Sequence, residues 1–162
     1  MKKLYIIRHA KSGLKNSGLD DFERPLSKRG KKDAPFMGSM LKNRGVLPDI
    51  IISSPALRAK STAEIVANEI GYVKSIVYDK NIYEASVEEL YNILADISDK
   101  KSSAMLFGHN PELNMLVEDL FGFNENIPTC GVVEIEFDCK KWSEISSENS
   151  KLISFDYPKK YK

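Results

Sequence analysis

Little in this sequence marks a specialised chain. It has two cysteines, two histidines and one tryptophan in 162 residues, and 24 Lys and Arg are balanced by 23 Asp and Glu. A formal charge of +1 creates no global field to gather nucleic acid or an anionic membrane, so neither is expected as a partner. Any anion chemistry must therefore be local. No stretch approaches the roughly 20 apolar residues that cross a bilayer. The charged start Met1-Lys2-Lys3 leads into an apolar run, Leu4 to Ile7, that stops at Arg8-His9, too short for a secretory signal. A cytoplasmic location is the expectation. Cys130 and Cys139 flank a predicted strand and, in a reducing compartment, read as packing residues rather than a disulfide or metal pair. No His, Cys or carboxylate cluster has ligand spacing, so no metal or other cofactor is expected. Internal repeats, low-complexity tracts and linkers are also missing, which predicts one domain over residues 1–162.

What is present is alternation. Short β-rich runs at Leu4–Ile7, Ile50–Ile52, Ser75–Tyr78 and Ala104–Phe107 are separated by stretches with helical spacing, which predicts an α/β fold with a mostly parallel sheet between two helical layers. Ser27 is placed to cap a helix running toward Asn43 and stopping at Gly45, with a kink or restart expected near Asp33 because Pro35 lies inside it. A second helix spans about Ala56 to Ile70, with Gly71 as its stop. Ser86-Val87-Glu88-Glu89 has capping-box spacing at the start of a third. Asn110 as cap, with Pro111 at the first helical position, opens a fourth. Val132–Phe137 and Leu152–Phe155 read as late strands near the sheet edge, Trp142 as a packing residue, and Pro158–Lys162 as a solvated basic tail.

Reactive residues collect at the predicted strand ends. Arg8 and His9 follow the first strand, Ser53 to Arg58 the second, and Gly108-His109-Asn110-Pro111 the fourth. Ligands of open α/β sheets bind beyond the carboxyl ends of the strands, where helix N-termini point N–H groups at anions. Both histidines of the chain therefore converge with two arginines. Arg matches phosphate because its planar fork donates paired hydrogen bonds and stays charged. Two cations beside His9 disfavour its protonated form, leaving an imidazole nitrogen able to attack phosphorus, while His109 could donate to an equatorial oxygen.

These residues resemble the histidine phosphatase superfamily, and within it the short SixA-like phosphohistidine phosphatases. The resemblance rests on R-H-A-K-S from Arg8, D-x-x-R-P-L-x-x-R-G from Asp21 to Gly30, S-S-P-x-x-R-A-x-x-T-A from Ser53 to Ala63, and G-H-N-P from Gly108 to Pro111, in that order over most of the chain. It implies a phosphoglycerate mutase-like α/β/α domain and a metal-independent phosphatase. His9 would be the phosphorylated nucleophile, Arg8 and Arg58 phosphate ligands, His109 the second catalytic histidine, and Arg24 a further phosphate-binding arginine on the long loop from Ala10 to Pro25. Glu84, after the third strand, is the candidate proton donor. The expected partner is a phosphorylated substrate, with phosphohistidine in a signalling protein as the favoured class and small phosphomonoesters beside it. Two alternatives stand: a mutase-like phosphotransferase, disfavoured because Lys15 replaces the asparagine of mutase-like members, and a noncatalytic module that holds a phospho group. A chain close to the minimal core implies an open, shallow site.

Overall fold

Strand β1 (Lys2–Arg8) is the axis around which the molecule is arranged. In the computed structural model, which describes residues 1–13 and 18–162, β1 pairs in parallel with β4 (Ser103–Gly108) on one side and antiparallel with β5 (Val132–Phe137) on the other. Strand β2 (Ile50–Ser53) lies outside β4, and a two-residue β3 (Val77–Tyr78) closes that edge. Beyond β5 comes β6 (Ser150–Asp156), giving the order β3-β2-β4-β1-β5-β6. The first four strands are mutually parallel and only β5 runs against them, β6 reversing again to point their way, so the sheet is mostly parallel, as predicted, with the late strands toward one edge. Lys15 lies outside the described residues.

Side-chain alternation along β1 divides the interior into two cores. Leu4 and Ile6 join Leu90, Leu94, Leu113, Leu116 and the fully buried Trp142 on one face. Tyr5 and Ile7 join Ala34, Met37, Leu41, Val66 and Ala67 on the other. Helices α1 (Lys28–Asn43) and α2 (Leu57–Ile70) thus cover one face, and α3 (Val87–Ala95) and α4 (Glu112–Phe121) the opposite one. Burying each Leu, Ile or Met side chain contributes about 1.5–3 kcal/mol, so these two apolar layers, rather than surface ion pairs, carry the fold. Among the described residues no helix is long and apolar enough to cross a membrane.

Local signals explain most helix ends. The Ser27 hydroxyl accepts from the Gly30 amide at 3.1 Å, and Ser86 and Glu89 form the reciprocal capping box. Gly71 ends α2 at φ 79°, a conformation that favours glycine. Gly30 is required for a different reason: a Cβ there would stand 2.2 Å from the Lys11 carbonyl oxygen, so only glycine lets the first turn of α1 close on the chain just past His9.

Three expectations need correction. Helix α1 passes through Pro35 without a restart; Lys31, whose carbonyl loses its partner, is exposed to water, and Ala34, Met37 and Leu41 anchor the helix on the core. Pro111 precedes the first turn of α4 rather than occupying it, and Asn110 still caps from one position earlier, its Oδ1 accepting from the Asn114 amide at 3.0 Å. Pro158–Tyr161 is a 3-10 turn folded against α1 rather than a solvated tail, because Tyr161 and Lys160 bond the buried Asp156 and Lys162 reaches the buried Asp33 at 2.8 Å.

Candidate active site

The floor of the site is the line of parallel strand ends. The His9 amide donates to the Gly108 carbonyl at 3.1 Å and the Ser54 amide to that of Phe107 at 3.0 Å, so the residues following β1, β2 and β4 lie side by side. The imidazoles of His9 and His109, a hundred positions apart in sequence, come within 5.3 Å between ring centres. Both are buried. The Cys130 amide ties the backbone beneath them, donating at 3.0 Å to the carbonyls of both Arg8 and His9. Cys130 and Cys139 are free thiols.

The orientation of His9 is fixed by one bond. Its Nδ1 lies 2.7 Å from the Ala10 carbonyl oxygen, which can only accept, so Nδ1 carries the proton and Nε2 keeps its lone pair in the neutral ring. Burial is the largest influence and lowers the His9 pKa to about 4; the Ala10 bond comes next and pulls upward, and Arg58, Arg8 and Arg24 each add a smaller downward push. The ring is thus neutral at physiological pH. Burial outweighs the two arginines that the sequence reading invoked.

His109 is held through Ser54, whose Oγ lies 2.8 Å from Nε2 and also accepts from the Ala56 amide. Burial first, then His9, Arg58 and Arg8, bring the His109 pKa down to about 3, with Asp21 pulling the other way. When Ser54 donates, the Nδ1 of His109 carries its proton. Nδ1 is buried without a hydrogen-bond partner among the described residues. The same is true of Nε of Arg8 and Nε of Arg24. Buried donors left unpaired cost roughly 1–3 kcal/mol each, and three of them on residues of one site are a demand for an acceptor.

Each arginine has its own support. Arg8 is anchored by Nη1 donating to the Ile127 carbonyl at 2.9 Å, and burial, then Arg58, lower its pKa. Arg58, in the first turn of α2, is buried and donates to the Asp21 carbonyl at 2.6 Å and to Asp21 Oδ2 at 2.9 Å. Both guanidinium groups are therefore partly engaged, but each has five N–H donors and these contacts use one or two. Arg24 is not a solvated loop charge: it donates to Asp21 Oδ1 at 2.9 Å, Ser12 Oγ at 2.5 Å and the Gly13 carbonyl at 3.1 Å.

The structure therefore brings together Arg8, His9, Arg24, Arg58 and His109. Glu84 is exposed, sits at φ 58°, and makes no side-chain hydrogen bond among the described residues. Its neighbour Tyr83 faces the site, with its ring 5.4 Å from that of His109 and its hydroxyl donating to Asp21 Oδ2 at 2.6 Å. Sequence reasoning missed Tyr83 and gave no role to Asp21, Ser54 and Thr62, although these three lie within its motifs. Thr62 could have been found one turn beyond Arg58 on the same helix face; its hydroxyl donates to the Arg58 carbonyl at 2.7 Å and accepts from the Ala10 amide at 2.9 Å. Among the described residues no three His, Cys, Asp or Glu side chains are grouped to hold a metal ion.

Comparison with known proteins agrees with this arrangement. The chain is 29% identical over 152 residues to an uncharacterised chloroplastic protein of Arabidopsis thaliana, covering 88% of this chain and 70% of that one. A provisionally assigned phosphohistidine phosphatase SixA from Agrobacterium tumefaciens superposes with a TM-score of 0.84 at 27% identity, over 97% of this chain and 98% of the other. The protein histidine phosphatase SixA complexed with tungstate shares the fold, with a TM-score of 0.85 at 22% identity and 99% coverage of both chains. Residues 4–114, which hold both histidines and all three arginines of the site, match the family model for branch 1, and on that match the chain belongs to the histidine phosphatase superfamily.

Proposed function

We propose that this protein is a metal-independent phosphatase that passes a phosphoryl group through His9 to water, with residues 1–162 acting as one catalytic domain in the cytoplasm. The observation that carries this reading is the Nδ1–H bond of His9 to the Ala10 carbonyl, which leaves the unprotonated Nε2 of a neutral ring among three arginines. Nε2 attacks phosphorus, forming a P–N bond as the leaving group departs with its electron pair. Water then attacks the phosphorus, the P–N bond breaks, inorganic phosphate leaves and Nε2 regains its lone pair. The unpaired donors on Arg8, Arg24 and His109 suit the equatorial oxygens, whose charge they stabilise during transfer. A structural relative is complexed with tungstate, a tetrahedral oxyanion like phosphate, which supports oxyanion binding by this fold.

Phosphohistidine in proteins is the favoured substrate class, with small phosphomonoesters second. An alkoxide leaving group needs a positioned acid, help worth about 10²–10⁴-fold, whereas imidazole, with a pKa near ~6.5, departs readily. An exposed Glu84 that makes no side-chain hydrogen bond among the described residues fits the substrate that needs it least. The test is to incubate the protein with a chromogenic phosphoester in chelator and quench in base. Acid-labile, base-stable phosphate on His9, followed by release to water, is the expected result. A folded protein that traps no phosphate is the noncatalytic binder; transfer between hydroxyls of one metabolite in place of release marks the mutase; activity lost in chelator and restored by divalent metal overturns the mechanism.

A further inference from the structure

Asp21 is a carboxylate placed among cations that the proposed chemistry needs for an anion, and the reaction described above does not use it. Its side chain is half exposed at the mouth of the site, yet it accepts from three different groups. Arg24 Nη1 donates to Oδ1 at 2.9 Å, while Arg58 Nη2 at 2.9 Å and the Tyr83 hydroxyl at 2.6 Å both donate to Oδ2. Its backbone carbonyl takes a fourth bond, from Arg58 Nη1 at 2.6 Å. One residue on the long loop therefore joins the loop itself, the first turn of α2 and the segment after β3.

A carboxylate in such a place could compete with phosphate or could position the groups that bind it, and the pattern of free donors separates the two. Asp21 holds both terminal nitrogens of Arg58, one through a backbone oxygen that no ligand would displace, and leaves three of the five Arg58 N–H donors unused by these contacts. The donors that lack partners, Nε of Arg8, Nε of Arg24 and Nδ1 of His109, are all atoms that Asp21 does not touch. It occupies one edge of the arginines and leaves the other for a ligand. We propose that Asp21 is a positioning residue that locks the guanidinium groups of Arg58 and Arg24 and the ring of Tyr83 in their phosphate-receiving orientation. This rests on the phosphoryl-binding role proposed above for the site.

The sign of the effect makes the proposal testable. Coulomb attraction alone requires that removing a negative charge beside two arginines tighten anion binding. Loss of positioning requires the opposite. Calorimetric titration with inorganic phosphate should show Kd rising about tenfold for Asp21→Ala and by a similar factor for Asp21→Asn, which keeps the shape but presents N–H groups to the arginines. Tyr83→Phe, which removes one of the three side-chain bonds and keeps the ring, should shift Kd the same way by about threefold. In an Arg24→Ala background the effect of Asp21→Ala should shrink, because part of it acts through Arg24. Circular dichroism melts check that each variant folds, and Tyr83→Phe serves if the Asp21 variants do not. Unchanged or tighter phosphate binding, or full additivity with Arg24→Ala, overturns the positioning role while the wild type still binds phosphate and labels His9. A wild type that does neither removes the site's function and this inference together.

Discussion

Asp156 and Asp21 each hold an arginine, yet the two clusters end in opposite electrostatic states. At Asp156, buried at the end of the edge strand β6, the carboxylate accepts from Arg44 at 2.7 Å, from Lys160 at 3.2 Å and from the Tyr161 hydroxyl, and these three partners are exposed, so water reaches their remaining polar groups. Arg44 accordingly has its pKa raised, chiefly by its bond to Asp156. At the site, Arg8 has its pKa lowered by burial and then by Arg58, and buried donors remain without partners. The first cluster is complete and belongs to the architecture. The second is short of negative charge, and that deficit is what a dianionic ligand would fill.

The largest expected separation between the clusters comes from His9→Ala, which should abolish turnover, a loss of roughly 10³-fold or more, with an unchanged melt. Retention of a tenth of wild-type turnover would refute the nucleophile. Arg58→Ala should lower kcat/KM by about 10²–10³-fold, as expected for a donor group removed from a developing oxyanion. The pH profile sharpens the contrast further. A histidine whose pKa is lowered to about 4 is neutral and nucleophilic above that value, so kcat/KM should hold down to about pH 4 and fall below it, rather than fall near the ordinary histidine value of 6.5. A limb centred near 6.5 would contradict the burial argument.

Asp156→Ala should reverse the pattern: a loss of about 1–3 kcal/mol in urea unfolding, with turnover unchanged within about twofold. Burial pushes the Asp156 pKa up, but Arg44, Tyr161 and Lys160 outweigh it and bring it to about 2 from 3.8. The stability it supplies is therefore present above about pH 4 and lost as the pH falls through about 2. The smallest effect is expected for Glu84→Gln, which should alter hydrolysis of a phosphohistidine peptide by less than about threefold. A larger loss would restore Glu84 as proton donor.

How much of this was legible in the sequence depended on how local each signal is. Arg8, His9, Arg58 and His109 could be placed because strand ends are readable from short apolar runs, and parallel strands bring those ends together. The capping box at Ser86 and the stop at Gly71 were legible for the same reason. Asp21 and Tyr83 were not, since a bond between residues 62 positions apart leaves no periodicity to read. The tail misled because Lys159, Lys160 and Lys162 look solvated until the buried acids Asp33 and Asp156 are seen beneath them. Pro35 misled because packing of the neighbouring turns overrode a local penalty.

The Thr62 hydroxyl, bridging the Ala10 amide and the Arg58 carbonyl, makes a single unit of the stretch after β1 and the opening of α2. Imidazole and guanidinium are thus mounted on one block, and Asp21, bonded to Arg58 through both its carbonyl and its carboxylate, fastens the loop to it. An oxyanion would meet side chains already held in place by neighbours on three segments of the chain.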